Sequence, residues 1–291
     1  MAVVNTNANA SIAQNALARN ERAMNTAMER LSTGQRINSA SDDAAGLAIS
    51  SRMTSQIRGL ETGIRNAHDA ISMISTADGA LIEVTNMLQR MRELALQASN
   101  GTTTSVDRNY LSSEYVNLAA EIERIAQNTQ WNGGDILDGT ANGTSATVAF
   151  QVGANGGQTI SVSFGNATNG VVATVSGMLE TVASAAPNLV AGTTASAITK
   201  GTSAVTAIDT AITAVNSQRA TFGATMNQLT YAIDNLSNVE VNAEASRSRI
   251  MDADYAVETS ELARTQIIQQ AGTAMLAQAN QLPQTVLSLL Q

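Results

Sequence analysis

Few side chains of this sequence could perform catalysis. The chain has one histidine, His68, and no cysteine, so it can supply neither a multi-histidine metal site nor a thiolate nucleophile. Asp69 follows His68 directly, but adjacent residues of a helix do not face each other and cannot work as an acid–base pair. We therefore interpret His68 as a solvated or interfacial histidine.

Two patterns resemble chemical sites but have structural explanations. Asp42 and Asp43 could be paired carboxylates for acid–base catalysis or metal binding, yet their position before an apolar helix favours helix capping. The segment 153–157 (GANGG) resembles a phosphate-binding loop. It lacks the Walker lysine and lies between two predicted strands, which favours a turn. We expect no enzyme, no cofactor and no metal, because no nucleophile, base and orienting group can be assembled.

Three arginines stand out by their neighbours in the sequence. Arg90, Arg92 and Glu93 form a charged cluster beside Leu94, and their spacing is typical of a solvated helix face. Arg219 is more specific because it lies within an apolar stripe, where a guanidinium group needs a partner. We interpret Arg219 as an ion pair that sets helix register or as an interface contact.

The overall composition excludes further classes of protein. Sixteen basic and 24 acidic residues give a formal net charge of −8, which argues against a nucleic-acid binder that neutralises phosphates. No apolar segment approaches the ~20 residues of a membrane helix, and no signal-peptide pattern opens the chain. Hydrophobic residues make up 44% of the chain and aromatic residues 3%, a composition typical of long, closely packed helices.

Apolar residues of both flanks recur at the spacing of coiled-coil helices. Over 57–98 they lie three and four residues apart with a single 3,3 step, and over 205–236 the alternation is unbroken. We predict that these two stretches pack antiparallel, because a long helix cannot bury its apolar stripe alone. The predicted seam of this rod contains Ile64, Ile71, Ile74, Leu81, Leu88, Ile212, Arg219, Ile233 and Leu236.

The middle of the chain has a different period. Val148, Phe150 and Val152 alternate with other residues, a glycine-rich stretch follows, and alternation resumes over 160–164, which predicts a β-hairpin. The predicted fold class is therefore mainly α. It is a long antiparallel coiled-coil rod from paired N- and C-terminal flanks, with a small β-hairpin region in the middle.

The two ends of the chain carry apolar stripes that a single molecule cannot cover. A final helix is predicted over roughly 255–281, and apolar residues continue beyond Pro283. Each end is too short to form a closed globule, so we expect both to bury their apolar residues against copies of the same chain. The expected contact residues are Ile12, Leu17, Met24, Met28, Ile267, Ile268, Ala271, Met275, Leu282, Val286 and Leu289.

Several segments of both flanks resemble bacterial flagellins. In the N-terminal flank these are LSTGQRINSASDDAAGLAISSRM (31–53), LQRMRELALQASNGT (88–102) and NTQWNGGDILDG (128–139), and residues 248–291 resemble the end of the family nearly throughout. Gln228 departs from the family pattern, in which an arginine usually stands at this place. The resemblance implies a structural subunit that self-polymerises into the flagellar filament.

The same resemblance implies how the chain is divided. Residues 1–43 with 256–291 would form a terminal helical pair in the inner wall of the filament. Residues 44–165 with 201–255 would form the rod and its β-hairpin, and 166–200 would be a short variable surface segment.

The resemblance also implies partners and a location. Subunits would leave the cell unfolded through a flagellar type III export apparatus and end in an extracellular filament. The implied partners are further copies of the chain, a filament cap protein, hook–filament junction proteins and an export chaperone that covers the C-terminal helix. In similar flagellins a vertebrate Toll-like receptor contacts residues that correspond to Arg90, Leu94 and Glu114.

Two other functions remain open from the sequence. A hook–filament junction protein would share the terminal architecture but would not propagate a filament from seeds. A secreted binding module would use the face around Arg90 and Leu94 for adhesion or receptor contact. An enzyme would need a site that the sequence does not show.

Overall fold

The structure, a computed structural model, describes residues 7–139, 147–164 and 194–289. This part of the chain contains five helices: α1 (Ala8–Thr33), α2 (Ala44–Ala98), α3 (Ser105–Asn128), α4 (Thr194–Met251) and α5 (Tyr255–Leu289). It also contains four short strands: β1 (Gln130–Trp131), β2 (Gly134–Asp135), β3 (Thr147–Gln151) and β4 (Thr159–Ser163). The mainly α fold class is confirmed.

The last helix is longer than predicted. The prediction ended it at about residue 281, whereas α5 continues through Pro283 to Leu289. A proline removes one backbone donor and strains the preceding turn. It is therefore a frequent but not obligatory helix end, so the predicted end at about residue 281 was wrong.

The chain folds into two compact units. The terminal unit consists of Met1–Ile57 and Val241–Gln291, and the central unit consists of Arg58–Glu240. In each unit, a helix from the first half of the sequence packs against a helix from the second half.

Helices α1 and α5 run antiparallel in the terminal unit. At one end the Asn7 side chain donates to the carbonyl of Ala279 (2.8 Å), and at the other Arg30 forms an ion pair with Glu258 (3.0 Å). Between them, Asn20 donates to a backbone carbonyl of α5 (2.8 Å). A slip of one helix along the other would leave these polar groups unpaired, so they specify the register of the pair.

The segments that follow α1 and precede α5 are joined by backbone hydrogen bonds. Gly34 ends α1 with a φ of 71°, a left-handed conformation that glycine adopts without strain, and its N–H donates to Arg30. The carbonyl of Gly34 accepts from Ala253 (3.0 Å), and the N–H of Arg36 donates to Met251 (2.6 Å). These bonds hold the two connections together without relying on side-chain identity.

Helices α2, α3 and α4 form the core of the central unit. Asp78 and Arg92 of α2 pair with Arg219 and Asp209 of α4, an order that makes the two helices antiparallel. Helix α3 also packs on α2. The fully buried side chains of this core include Ile74, Leu94, Tyr115, Ile122, Val215, Phe222 and Leu229.

The predicted β-hairpin is strands β3 and β4. Val148 lies opposite Val162, and Phe150 lies opposite Ile160. Val162 is buried, as is Phe164 just after β4, whose ring centroid lies 5.4 Å from that of Phe222 on α4. The alternation in the sequence therefore reflects one strand face that packs on the helices.

Two glycines of α2 let the end of this hairpin approach the helix backbone. A Cβ at Gly59 would lie 3.0 Å from Cβ of Ala154, and a Cβ at Gly63 would collide with the carbonyl oxygen of Val152. One turn further along α2, the Asn66 side chain donates to the carbonyl of Gln151 (2.9 Å). Glycines four residues apart share one helix face, and here that face packs against the end of the hairpin.

Replacement of Gly63 by alanine tests this close contact between α2 and the hairpin. We expect Gly63→Ala to lower the melting temperature, because backbone atoms of the hairpin must move to admit the methyl group. The matched control is Gly79→Ala on the same helix, where no described atom outside the helix's own turn lies within 4 Å of the added Cβ. The control should raise stability by up to about 1 kcal/mol, the helix-propensity gain of alanine over glycine. Equal effects of the two substitutions in thermal unfolding would contradict the tight approach.

Candidate functional site

The terminal unit exposes large apolar side chains on both of its long helices. Ile12 is 66% exposed and Met28 51% exposed on α1, and Ile267 and Met275 are 67% and 65% exposed on α5. Isolated exposed aliphatic residues are common on protein surfaces, whereas clusters of them mark binding surfaces. Whether these residues form a binding surface therefore depends on how they are arranged on each helix.

Four exposed apolar residues in the middle of α5 form one stripe. At about 100° per residue, they fall within an arc of about 100°. We call this set the α5 stripe: Ile267, Ile268, Ala271 and Met275, all exposed. Helix α5 contacts α1 through a different side, which contains the buried residues Glu258 and Thr265. The pairing of α1 with α5 therefore leaves the stripe uncovered.

The predicted contact residues of α1 fall into two groups. Leu17 and Met24 are half-buried, and a Cβ added at Gly272 of α5 would lie 3.0 Å from Cδ1 of Leu17, so Leu17 already packs within the unit. Ile12 and Met28 are exposed. The side chains of Leu282, Val286 and Leu289 lie outside the described residues.

The predicted seam residues lie in the central unit between its long helices. Ile74, Leu81 and Leu88 are buried in the core, and Ile64 is half-buried. Four others are half-buried and pack against the core: Ile71, Ile212, Ile233 and Leu236. The buried residues Ala70, Met73 and Leu94 of α2 were not part of the predicted series. They are buried because α2 has more than one packing partner, so its covered face is wider than a two-helix seam.

Arg219 forms an ion pair across the two long helices. Its Nε donates to Asp78 Oδ1 at 2.8 Å, and the two side chains are 34% and 25% exposed. The sequence pointed to a partner for Arg219 but did not identify Asp78, because a charged residue beside a seam has no periodicity of its own. A second pair, Arg92 with Asp209 (2.6 Å), lies nearer solvent.

Arg108 is a buried cation that the sequence analysis missed. The residue is 5% exposed, and its guanidinium donates to the carbonyls of Ala98 (3.1 Å) and Asn100 (3.2 Å) at the end of α2. A cation at a helix C-terminus satisfies otherwise unpaired carbonyls and the negative end of the helix dipole. The guanidinium of Arg108 therefore stabilises the turn between α2 and α3.

The three residues implied as a receptor contact differ in exposure. Arg90 and Glu114 are exposed and form an ion pair (2.9 Å), and hydrogen bonds to Glu114 and Glu93 raise the pKa of the Arg90 guanidinium. Leu94, in contrast, is 1% exposed and belongs to the core.

The residues that resembled chemical sites have structural positions. Asp43 Oδ1 accepts from the N–H of Gly46 (2.8 Å) at the start of α2. Hydrogen bonds from the N–H groups of Ser39 and Asn38 lower the pKa of Asp42. This arrangement adds stability above the ordinary pKa of the carboxyl and loses it as the pH falls through the lowered value.

The other two candidate sites lie in a turn and on an exposed helix face. Gly153 and Gly157 lie in the connection between β3 and β4, and His68 is exposed. Within the described residues there is no group of three potential metal ligands, and none of the described helices is long and apolar enough to cross a membrane.

Together these features define a class of protein. It is a helical protein whose chain ends pair with each other and leave an apolar stripe open, while the central unit buries its own core. No described group of side chains is arranged for catalysis. Such a surface is suited to association with other chains.

Comparisons with known proteins identify the family. Residues 4–142 match the family model described as the bacterial flagellin N-terminal helical region, and residues 205–290 match the bacterial flagellin C-terminal helical region. The chain belongs to the bacterial flagellin family. It is therefore a structural subunit of the flagellar filament rather than an enzyme.

Individual relatives agree with this assignment. A flagellin of Halalkalibacterium halodurans is 47% identical over 265 residues, which cover 91% of each chain. Flagellin A of Vibrio cholerae is 36% identical, with 99% of each chain covered. A solved structure described as a flagellar hook-associated protein from Vibrio parahaemolyticus has a TM-score of 0.58 at 17% identity, over 72% of this chain and 100% of that one. This last likeness shows the fold alone.

The two ion pairs of the central unit should differ in their contribution to stability. We expect Arg219→Met to lower the free energy of unfolding by about 1 kcal/mol, because it leaves the partly buried Asp78 carboxylate without its partner. The matched control, Arg92→Met, removes an exposed pair and should cost less. Urea unfolding followed by circular dichroism measures both. A larger loss for Arg92→Met would contradict the role given to Arg219.

Proposed function

We propose that this subunit polymerises by burying the α5 stripe and the exposed apolar residues of α1 against neighbouring copies in the inner wall of the filament. The α5 stripe carries the proposal, because it is exposed when the chain is alone and no described part of the molecule covers it. Burial of one large aliphatic side chain is worth about 1.5–3 kcal/mol. A polymer that buries several of them per subunit therefore gains free energy that offsets the entropy lost on association.

The proposed inner wall includes every apolar residue predicted to make contacts at the two chain ends, of which Leu17 also packs on α5 within the subunit. Helices α1 and α5 expose different side chains, so one subunit offers two unlike surfaces to its neighbours. Unlike surfaces are what a head-to-tail contact needs, and such contacts produce open helical filaments when the rotation between copies does not close a ring. The proposed inner-wall residues are Ile12, Leu17, Met24, Met28, Ile267, Ile268, Ala271, Met275, Leu282, Val286 and Leu289.

We assign the rest of the chain to the outer part of the subunit. In this proposal, residues 1–43 with 256–291 line the inner wall, and residues 44–165 with 201–255 form the rod that the seam residues hold together. Residues 166–200 form a short surface segment. They lie outside the described residues except for 194–200, which begin α4.

Further partners follow from family membership and from the chemistry of the α5 stripe. We propose that the chain is exported through a flagellar type III apparatus to the cell exterior, and that it meets a filament cap protein and hook–filament junction proteins there. An exposed apolar stripe promotes aggregation before export. An export chaperone that covers α5 would prevent this.

A vertebrate Toll-like receptor is a further proposed partner. The exposed ion pair of Arg90 with Glu114 supports a contact on this face, since both side chains are accessible to a large partner. Leu94 is buried, so we assign it the role of holding α2 in place beneath that face.

A charge placed in the α5 stripe tests the proposed interface. Ile268→Glu should prevent purified subunits from extending short filament seeds, because assembly would bury an unpaired carboxylate. The residue is 42% exposed in the subunit, so circular dichroism should show unchanged helix content. Light scattering and electron microscopy measure the growth of the filament.

The matched control places the same charge on another side of the same helix. Gln270 is exposed and lies outside the arc of the stripe, so Gln270→Glu should still allow growth. If Ile268→Glu subunits extended seeds as well as the control, the stripe would not be the interface. Wild-type chain that failed to extend seeds at all would instead behave as a hook–filament junction protein.

A further inference from the structure

The sulfur atoms of this chain are distributed unevenly. The chain has 11 methionines and no cysteine, so methionine thioethers are its only oxidisable sulfur groups. Met73 and Met91 of the central unit are 5% and 1% exposed, whereas Met28 and Met275 are exposed over more than half of their surface. Of the methionines whose burial is described, these two are the exposed ones, and both belong to the terminal unit.

Both exposed methionines lie within the proposed assembly surface. Met275 is part of the α5 stripe and follows Ile268 by seven residues, so the two lie almost on one line along the helix. Met28 lies on α1, where the half-buried Met24 is one helical turn away. Thioether side chains suit such a surface because they are flexible, apolar and adaptable.

We propose that Met28 and Met275 are oxidation sites that peroxide reaches only before a subunit is assembled, and that their conversion to sulfoxide keeps the subunit out of the filament. This inference rests on the proposed function, since it requires that both side chains become buried in the polymer.

The oxidation step needs hydrogen peroxide and no catalyst. The thioether sulfur donates a lone pair to one peroxide oxygen, so that an S–O bond forms while the O–O bond breaks. The second oxygen leaves as hydroxide and takes the proton of the transferred oxygen to become water. Sulfur is oxidised by two electrons and peroxide is reduced by two, and methionine sulfoxide reductases reverse the change.

The product is unsuited to an apolar interface. A sulfoxide is a polar group with a strong hydrogen-bond acceptor, and burial without a donor carries a large desolvation penalty. Oxidation at either position therefore weakens the contact that the apolar side chain would make. In the free subunit the sulfoxide remains solvated, so the fold of the terminal unit is not expected to change.

The experiment compares wild-type protein with the double variant Met28→Leu/Met275→Leu. Free subunits are treated with hydrogen peroxide, the peroxide is removed with catalase, and the subunits are added to filament seeds. Leucine retains the apolar contact and cannot be oxidised, while every other methionine stays in place. Peptide mass spectrometry reports the oxidation of each methionine, with Met91 as the buried internal reference.

We expect treated wild-type subunits to extend seeds at least about tenfold more slowly than untreated ones, because both contacts are weakened. The treated double variant should grow like its untreated form. Methionine sulfoxide reductases should restore growth of the wild type. In preformed filaments, Met28 and Met275 should be oxidised far more slowly than in free subunits.

Three results would overturn the inference. Treated wild type could grow normally with both methionines oxidised, both could resist peroxide in free subunits, or the treated double variant could lose growth as fully as the wild type. The proposed function survives the first and third results if Met28 and Met275 are protected in filaments, and it survives the second if Ile268→Glu still prevents growth. Equal oxidation in filaments and in free subunits would refute the proposed burial as well.

Discussion

The number of helices and strands that pack on each long helix determines whether its apolar stripe is covered within one molecule. A long amphipathic helix is stable only if its apolar stripe is covered. In the central unit, α2 is covered by α3, by α4 and by the hairpin of β3 and β4, so the core closes within one molecule. In the terminal unit, α1 and α5 pack on each other over one side, and the stripe of α5 remains open. Long helices with apolar stripes therefore produce both a closed unit and an open one in this chain.

Much of the central unit could be predicted from spacing. The alternation of three- and four-residue steps located the seam of α2 and α4, and the two-residue period located β3 and β4. Contacts outside this regular pattern were missed. Asp78, Arg108 and the additional buried residues of α2 depend on which helix lies alongside, and a one-dimensional period does not contain that information. The short hairpin of β1 and β2 was also missed, although Asn132-Gly133 between its strands is a strong turn signal.

The terminal unit shows a different limit of sequence reasoning. Spacing identified the apolar residues of α1 and α5 but could not divide them between contacts within the chain and surfaces left for other copies. The structure makes that division, since Leu17 packs against α5 at Gly272 while Ile12 and Met275 face solvent. The polar residues that set the register, Asn7 and Asn20, gave no signal in the sequence because the carbonyls they bind lie 272 and 245 residues away.

This separation along the chain has a consequence for biosynthesis. The contacts of Asn7 with Ala279 and of Arg30 with Glu258 join residues that are 272 and 228 positions apart in the sequence. The α1–α5 pair therefore cannot form on a nascent chain until α5 has been synthesised, and a product that terminates before α5 lacks the partner of α1. In the proposed assembly, a chain without α5 also lacks the α5 stripe, so incomplete chains would be excluded from the filament without any dedicated proofreading factor.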